Sequence, residues 1–209
     1  MPRIFLLTGF EPFGGERSNP SWQVALRLDG EEFGRLRIKS VRIPVGCAAA
    51  ARRITAAIVR YRPRAVLGLG QAGGRPALSL ERVAINLAIP VEGRRRSRRE
   101  HGAAPAVKPV VRGAPDAYFS RLPLEAIAHE LDRKQIPAAY SLTAGAYACN
   151  ALMYAGLHAL RRSPSIPVGF IHLPYETRQA ARKENAPSMS LELMESAVRL
   201  AIDVIARAP

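Results

Sequence analysis

The chain contains only two cysteines among its 209 residues, Cys47 and Cys149. Two thiols are too few for the disulfide framework of a small secreted protein. The four histidines are scattered, so the histidines and cysteines together show no spacing typical of a metal site. We therefore expect two free thiols and no bound metal.

Long apolar stretches are also missing. No run approaches the roughly 20 residues that a membrane-crossing helix needs. The first residues, MPRIFLLTGFEPFGG, are typical of a short strand and a glycine-rich turn rather than a signal peptide, so we expect a cytoplasmic protein. The length of 209 residues predicts one domain with a single core, spanning residues 1–209. Within it, the Gly, Pro and Arg stretch at about 93–115 predicts a flexible basic loop.

Acidic residues are outnumbered: 17 Asp and Glu stand against 31 Lys and Arg, which gives a net charge of +14. Such an excess could indicate a nucleic-acid-binding protein. However, five arginines are concentrated between Arg94 and Arg99 (RRRSRR), without interleaved aromatic residues on which bases could stack. We favour a solvated loop over an anion or nucleic-acid patch, and expect no specific nucleic-acid partner.

Strand and helix patterns alternate along the chain. Ala65–Leu69 is an almost continuous apolar run, typical of a central parallel strand, whereas Ala48–Tyr61 has apolar residues at helical spacing. Further strands are predicted at Ile4–Thr8, Leu36–Pro44, Leu78–Leu87, Ala138–Leu142 and Val168–Leu173, and further helices at Trp22–Leu28, around Leu124–Leu131 and at about Ser190–Ala206. The order predicts a three-layer α/β/α sandwich with a mainly parallel, twisted central sheet.

Gly68, Gly70 and Gly73 match G-x-G-x-x-G, the spacing of a dinucleotide-binding loop, directly after a predicted strand. The residues after Gly73 have an extended pattern that contains Pro76, so no helix begins there to hold a pyrophosphate. We interpret the glycines as a sharp turn at the end of a central strand and expect no dinucleotide cofactor.

Cys149 lies at the start of an apolar helix in the stretch Ser141–Leu160 (SLTAGAYACNALMYAGLHAL). The first N–H groups of a helix are unpaired and its dipole adds partial positive charge there. Both effects favour a thiolate at Cys149, the form that acts as a nucleophile. The alternative is a buried structural cysteine.

A base for this thiol has to come from one of four histidines. His158 lies on the opposite side of the same helix and roughly 13 Å along its axis, so it cannot reach the sulfur. His129 falls off the apolar face of its helix, and His101 lies in the basic loop. His172 lies near the C-terminal end of a predicted strand, where ligands bind in open α/β sheets. A histidine buried in the core is the alternative for His172.

Glu81 is a carboxylate on a mostly apolar face of the predicted strand Leu78–Leu87, a face that it shares with Ser79, Val83, Ile85 and Leu87. A carboxylate in that position requires a partner. An edge-strand carboxylate reaching water or an arginine is one interpretation. The other is that thiol, imidazole and carboxylate form a nucleophile, a base and an orienting group from three separate elements.

Four segments together resemble the type I pyroglutamyl peptidases, the bacterial pyrrolidone-carboxylate peptidases: TGFEPFGGERSNPS, LGLGQAGGRPALSLERVAIN, SLTAGAYACNALMY and GFIHLPY. They span Thr8 to Tyr175 in the order and spacing of that family. The resemblance implies a cysteine exopeptidase that removes an N-terminal pyroglutamyl residue from peptides and needs no cofactor. It also implies that Cys149 is the nucleophile, His172 the general base and acid, and Glu81 the group that orients the imidazole.

The resemblance further implies that Phe10 and Phe13 flank the pyroglutamyl ring, and that Asn19 and Gln71 help to recognise the substrate or to hold the site. A five-membered lactam has two flat faces and an amide edge, so two aromatic rings and a few hydrogen-bonding groups would suit it. Core packing is the alternative for the two phenylalanines. Asn19, with Pro20 directly after it, is in addition a helix-start signature.

The sequence departs from the family pattern after ERVAIN. There the family usually has two acidic residues, an alanine and an active-site arginine before Ile-Pro, but here Asn86 is followed directly by Leu87–Pro90. The arginine therefore has no counterpart. Backbone N–H groups at Ala148 and Cys149, next to Tyr147 on the substrate side, could form the oxyanion site, or an arginine of the RRRSRR run could enter it. A non-catalytic pyroglutamyl-binding relative is the alternative function, and the sequence leaves open whether the chain forms a homodimer or homotetramer.

Overall fold

The structure is a computed structural model that describes residues 3–89 and 107–207. The run Arg94–Arg99, His101 and most of the loop expected at 93–115 lie outside the described residues. Residues 107–115 contain no helix or strand, as predicted, but an isolated bridge joins Lys108 to Ala88. Among the described helices, none combines the length and the hydropathy that crossing a membrane requires.

A seven-stranded sheet forms the centre of the described structure. In the order β2-β3-β1-β4-β9-β5-β8 its strands are β2 Glu32–Phe33, β3 Leu36–Ile43, β1 Arg3–Phe10, β4 Ala65–Gln71, β9 Val168–Leu173, β5 Leu78–Glu81 and β8 Ala138–Ser141. Neighbouring strands are parallel except for the pairs β2–β3 and β5–β9. Two short sheets pair β6 Val83–Ile85 with β7 Ala117–Phe119, and β10 Tyr175–Glu176 with β11 Ser188–Met189.

Helices cover both faces of the central sheet. One core joins a sheet face to α1 (Pro20–Arg27), α3 (Leu124–Arg133) and α6 (Leu191–Arg207), and the other joins the opposite face to α2 (Cys47–Tyr61) and α4 (Ala148–Ala159). The short helix α5 spans Thr177–Ala180. Apolar residues of β4 and β9 are buried on both faces, as their continuous hydrophobic runs require. The predicted three-layer α/β/α sandwich with a mainly parallel sheet is confirmed.

The prediction of one strand over Leu78–Leu87 is wrong. β5 ends at Glu81, and after Arg82 the chain enters β6, which pairs with β7 instead of the central sheet. The cause is the side chain of Asn150, which accepts a hydrogen bond from the N–H of Ile85 and donates one to its carbonyl, both at 2.9 Å. These bonds pair the backbone N–H and carbonyl of Ile85 with a side chain of α4. Ile85 therefore takes no part in the hydrogen bonds of the central sheet.

The glycines of the G-x-G-x-x-G match also differ from the predicted turn. Gly68 and Gly70 lie inside β4, and only Gly73 belongs to the turn after that strand. A Cβ atom on Gly68 would lie 2.4 Å from the ring of Phe170, and one on Gly73 would lie 2.0 Å from the ring of Tyr175. The glycines therefore permit close packing of aromatic rings. As predicted, no helix begins after Gly73, because β5 is the next element.

Candidate active site

The sheet brings Glu81 and His172 together. β5 runs antiparallel to β9, so that Ser79 lies opposite His172 and Glu81 opposite Phe170. Glu81 and His172 are therefore diagonal neighbours on one face of the sheet, within reach of each other for side chains of this length. The strand break after Glu81 leaves this pairing intact.

The Nδ1 of His172 donates a hydrogen bond of 2.7 Å to Oε1 of Glu81. Both side chains are buried, Glu81 completely. Burial by itself would lower the pKa of His172, but the charge of Cys149, a hydrogen bond with Cys149 and the Glu81 carboxylate outweigh it and raise the pKa to about 9. The arrangement thus stabilises the imidazolium. It also gives the buried Glu81 carboxylate the partner that it requires, which is His172.

Cys149 is the second residue of α4, as the sequence predicts, and is partly exposed. Among the described residues, no side chain caps the start of this helix, so its first N–H groups stay available. Gly70 lies directly beneath the sulfur: a Cβ atom at this position would be 3.0 Å from Sγ of Cys149. Gly70 on β4 is also the register partner of His172 on β9. The sheet therefore brings the Cys149 thiol close to the strand that carries His172.

A cavity of about 330 Å³ opens in front of the thiol. Its walls are mostly apolar and include most residues predicted for the site. The lining residues are Phe10, Phe13, Val45, Gly46, Cys47, Gln71, Ala144, Tyr147, Ala148, Cys149 and His172.

The two predicted phenylalanines lie on this cavity in different environments. Phe10 is buried, and its ring centroid is 6.5 Å from that of Phe170, which in turn lies 4.8 Å from the ring of His172. Phe13 is 41% exposed at the opening, as is Tyr147 at 52%. One aromatic ring is therefore fixed at the base of the cavity, and two more border its entrance.

Asn19 is the one predicted substrate-side residue that does not line the cavity. Its Oδ1 accepts hydrogen bonds from the N–H and hydroxyl of Ser21 at 3.0 and 2.7 Å, and its Nδ2 donates to the carbonyl of Glu11 at 3.1 Å. It caps α1, as its sequence context predicts, and Ser21 Oγ accepts from the N–H of Phe10. Asn19 is thus placed to hold the site through Phe10 rather than to touch a substrate.

Four residues near the site were not predicted. Cys47 lines the cavity, with Sγ 3.4 Å from the carbonyl of Ile89, and burial raises the pKa of its thiol. Gln179 donates to Oε1 of Gln71 at 3.1 Å and fixes that amide. Asn150 ties the start of α4 to β6, and Arg75 contacts Glu81 at 3.2 Å. Of these four residues, Asn150 is the one that a feature of the sequence could have indicated, because it directly follows Cys149.

The other described histidines lie outside the site. His158 pairs through Nδ1 with the hydroxyl of Tyr118 at 2.9 Å, and burial lowers its pKa, as does the nearby Arg161. His129 is exposed on α3. The choice of His172 as the partner of Cys149 therefore agrees with the geometry.

A larger cleft, of about 660 Å³, lies elsewhere and is lined by charged residues of α1, α5 and the neighbouring loops, with none of Cys149, His172 or Glu81. Within residues 3–89 and 107–207, no group of three or more His, Cys, Asp or Glu side chains is arranged to hold a metal ion. The 330 Å³ cavity is the one that Cys149 and His172 line together.

The chain is similar to known proteins in both sequence and fold. A sequence model described as pyroglutamyl peptidase matches residues 3–208. The chain belongs to the pyroglutamyl peptidase family. A pyrrolidone-carboxylate peptidase of Yersinia pestis is 41% identical over 203 residues, which cover 97% of this chain and 92% of the relative.

Solved structures of the family superpose over almost the whole chain. Pyroglutamyl peptidase I from Bacillus amyloliquefaciens is 38% identical with a TM-score of 0.87, and covers 100% of this chain and 97% of its own. A mutant pyrrolidone carboxyl peptidase from Pyrococcus furiosus is 34% identical with a TM-score of 0.86, covering 97% of this chain and 98% of its own. Pyroglutamyl peptidases are hydrolases, so the chain belongs to a family of enzymes.

The arginine expected from the family pattern has no counterpart in the sequence after Asn86. Of the described residues that line the cavity, none is a lysine or an arginine. In the segment after Asn86, where the family pattern is shortened, the carbonyl of Ala88 accepts a hydrogen bond from the N–H of Lys108. The N–H of Ile89 donates to the carbonyl of Ala146, just before α4. The shortened segment thus buttresses the start of α4 through backbone groups.

Proposed function

We propose that this protein is a cysteine exopeptidase that removes the N-terminal L-pyroglutamyl residue from peptides, with Cys149, His172 and Glu81 as its catalytic residues. One observation carries the proposal: a buried Glu81–His172 hydrogen bond beside the Cys149 thiol, at the base of an aromatic cavity. Membership of the pyroglutamyl peptidase family supports the choice of substrate.

In the first half of the reaction, the Cys149 thiolate attacks the carbonyl carbon of the pyroglutamyl residue. The tetrahedral intermediate collapses when His172, held as an imidazolium, gives its proton to the departing amine. The products of this half are a thioester on Cys149 and a peptide shortened by one residue. The raised pKa of His172 suits it to this acid role, because the proton is present at neutral pH.

In the second half, His172 is neutral and takes a proton from a water molecule as that water attacks the thioester. Pyroglutamate leaves, and the proton on His172 restores the thiolate–imidazolium pair. Glu81 accepts the Nδ1–H bond throughout, which fixes the ring tautomer and leaves Nε2 to face the reacting atoms.

Oxyanion stabilisation falls to the start of α4. We propose that the N–H groups of Ala148 and Cys149 bind the developing negative charge, since no described side chain caps this helix and its dipole is favourable there. The cavity offers no described cation for this role. Entry of an arginine from the RRRSRR run is the competing hypothesis, motivated by the missing family arginine.

Recognition of the lactam uses the aromatic walls and one amide. Phe10 and Phe13 offer ring faces to the flat lactam, and Gln71, held by Gln179, offers a hydrogen-bonding amide. Tyr147 is half-exposed at the entrance, and we assign it a contact with the part of the peptide that leaves the cavity. Both cysteines are free thiols, which also supports a reducing, cytoplasmic environment.

The test is hydrolysis of a chromogenic pyroglutamyl amide, with alanyl and prolyl amides as controls, before and after alkylation of the thiols. We expect turnover of the pyroglutamyl amide alone, abolished by alkylation. Binding of a pyroglutamyl peptide without turnover would instead identify a non-catalytic relative. Equal turnover of all three amides would refute the proposed specificity.

A further inference from the structure

Glu81 carries a second charged contact that the proposed catalytic steps do not use. Its Oε1, which accepts from His172, lies 3.2 Å from Nη1 of Arg75, while Oε2 has no hydrogen-bond partner among the described atoms. The carboxylate is completely buried, and a buried carboxylate without compensating charge is costly. Among the described lysines and arginines, Arg75 is the one that forms an ion pair with Glu81, Cys149 or His172.

Arg75 is held in place by the turn that carries it. The turn lies between β4 and β5, which places Arg75 four residues after Gln71 and six before Glu81. Gly73 packs against the ring of Tyr175 with no room for a Cβ atom, and Gly74 has a φ of +85°, in the region that favours glycine. The backbone of this turn is therefore restricted, and the guanidinium reaches the carboxylate from the solvent side, with 40% of its side chain exposed.

We propose that Arg75 is a positioning residue of the catalytic site: its guanidinium contacts the buried Glu81 carboxylate at 3.2 Å and holds it oriented towards Nδ1 of His172. The inference rests on the proposed function. Arg75 does not touch the cavity, so it acts on the reaction through Glu81 alone. It is not a replacement for the missing family arginine, because that role requires contact with the reacting atoms.

The effect of removing Arg75 on the pH dependence of activity follows from the titratable and charged groups around His172. Glu81 faces the imidazole from β5, Cys149 from α4 and Cys47 across the cavity from α2, and Arg75 is the described cation that reaches this group through Glu81. Removing a positive charge close to the Glu81–His172 pair favours the protonated imidazolium of His172. Loss of Arg75 therefore moves the alkaline limb of the activity profile to higher pH, while the less well oriented imidazole lowers the rate.

Arg75→Met is the test, with Arg82→Met as the matched control. Arg82 has the same 40% side-chain exposure and a similar contact, Nη1 to Oε1 at 3.0 Å, but its partner Glu125 is 73% exposed and far from the chemistry. For Arg75→Met we expect kcat to fall about tenfold with little change in KM, an alkaline limb at higher pH, and partial rescue by Arg75→Lys. Arg82→Met should match the parent enzyme. A kcat within about twofold of the parent and an unmoved limb would overturn the proposal.

A second measurement separates this inference from the proposed function. The rate at which iodoacetamide alkylates Cys149 in the absence of substrate depends on its pairing with His172, not on turnover. We expect slower alkylation at neutral pH in Arg75→Met than in Arg82→Met, and equal rates would count against Arg75. If the parent enzyme hydrolyses no pyroglutamyl amide, this comparison still decides the role of Arg75. If the Arg75→Met protein does not fold, it is replaced by Arg75→Gln, which removes the charge but keeps a polar side chain.

Discussion

Gly70 and Cys149 are in such close contact that a single methyl group at Gly70 would press against the Cys149 sulfur. The added Cβ would lie 3.0 Å from Sγ of Cys149 and 2.7 Å from the ring of Phe170. The absence of a side chain at Gly70 is thus explained by the positions of this sulfur and of the Phe170 ring. Gly70 couples a central strand of the sheet to the start of α4.

Gly70→Ala should lower kcat by about tenfold to a hundredfold, because displacement of a reacting atom by a fraction of an ångström to about 1 Å is enough for such losses. Gly156→Ala is the control: that glycine lies in α4, and its Cβ would make ordinary contacts at 3.6 Å with Ile54 and Val168. The control should keep its activity and gain slight stability from helix propensity. Steady-state kinetics and thermal unfolding of both variants check this, and an unimpaired Gly70→Ala would contradict the close contact.

Cys149→Ser should lose about a thousandfold or more in turnover of a pyroglutamyl amide, since a hydroxyl is a much weaker nucleophile than a thiolate. Cys47→Ser is the comparison for the second thiol. The Cys47 sulfur contacts the carbonyls of Ile89 and Ala146 rather than a base, so this variant should keep thiol-dependent turnover, with changes confined mainly to KM. Substantial activity in Cys149→Ser would remove Cys149 from the nucleophile role.

Glu81→Gln should reduce kcat by about a hundredfold to ten-thousandfold with the fold intact, because a neutral amide neither stabilises the imidazolium nor enforces the tautomer of His172. Glu125→Gln, at an exposed glutamate that pairs with Arg82, is the matched control. Kinetics and circular dichroism of both variants provide the measurement. Unaltered kinetics in Glu81→Gln would show that the carboxylate is structural.

The pH profile should show an alkaline limb near 9. The pKa of His172 is raised from 6.5 to about 9, so the proton for the leaving amine is bound below that pH and lost above it. The quantity to measure is kcat/KM, which reports the free enzyme. A limb near 6.5 would mean that the imidazolium is not stabilised by Cys149 and Glu81.

The same shift predicts a pH dependence of stability. Because the folded state binds this proton more tightly than the unfolded state, the stabilisation is complete below about pH 6.5 and is lost as the pH rises through about 9. Denaturant unfolding across this range should show a falling free energy of unfolding in the parent enzyme. The decline should be smaller in Glu81→Gln, and identical declines would indicate that other groups cause it.

Replacement of all five arginines between Arg94 and Arg99 tests the competing source of oxyanion stabilisation. If the N–H groups at the start of α4 suffice, turnover of a small pyroglutamyl amide should be unchanged. Replacement of the same number of exposed arginines elsewhere controls for net charge. A drop in kcat specific to the run would assign it a part in the reaction.

The fold was largely predictable because buried parallel strands and amphipathic helices carry strong periodic signals. β9 was predicted with its observed bounds, and the long helices to within a few residues. The strand break after Glu81 could not be predicted, because it depends on hydrogen bonds from Asn150, 65 residues away from Ile85. β2 and β10, of two residues each, and α5, of four residues, are too short for a strand or helix periodicity to show.

The sequence by itself determined the chemistry of the site: a thiol at a helix start, a histidine at a strand end, a carboxylate on a buried strand, and the motifs that mark the family. Only the tertiary structure decided the contacts. The antiparallel register of β5 against β9 makes Glu81 a diagonal neighbour of His172, and Gly70 gives room to the sulfur. The role inferred for Arg75 also depends on a tertiary contact. Nothing in the sequence distinguishes Arg75 from the other arginines, and it is the fold that brings it within 3.2 Å of a buried carboxylate.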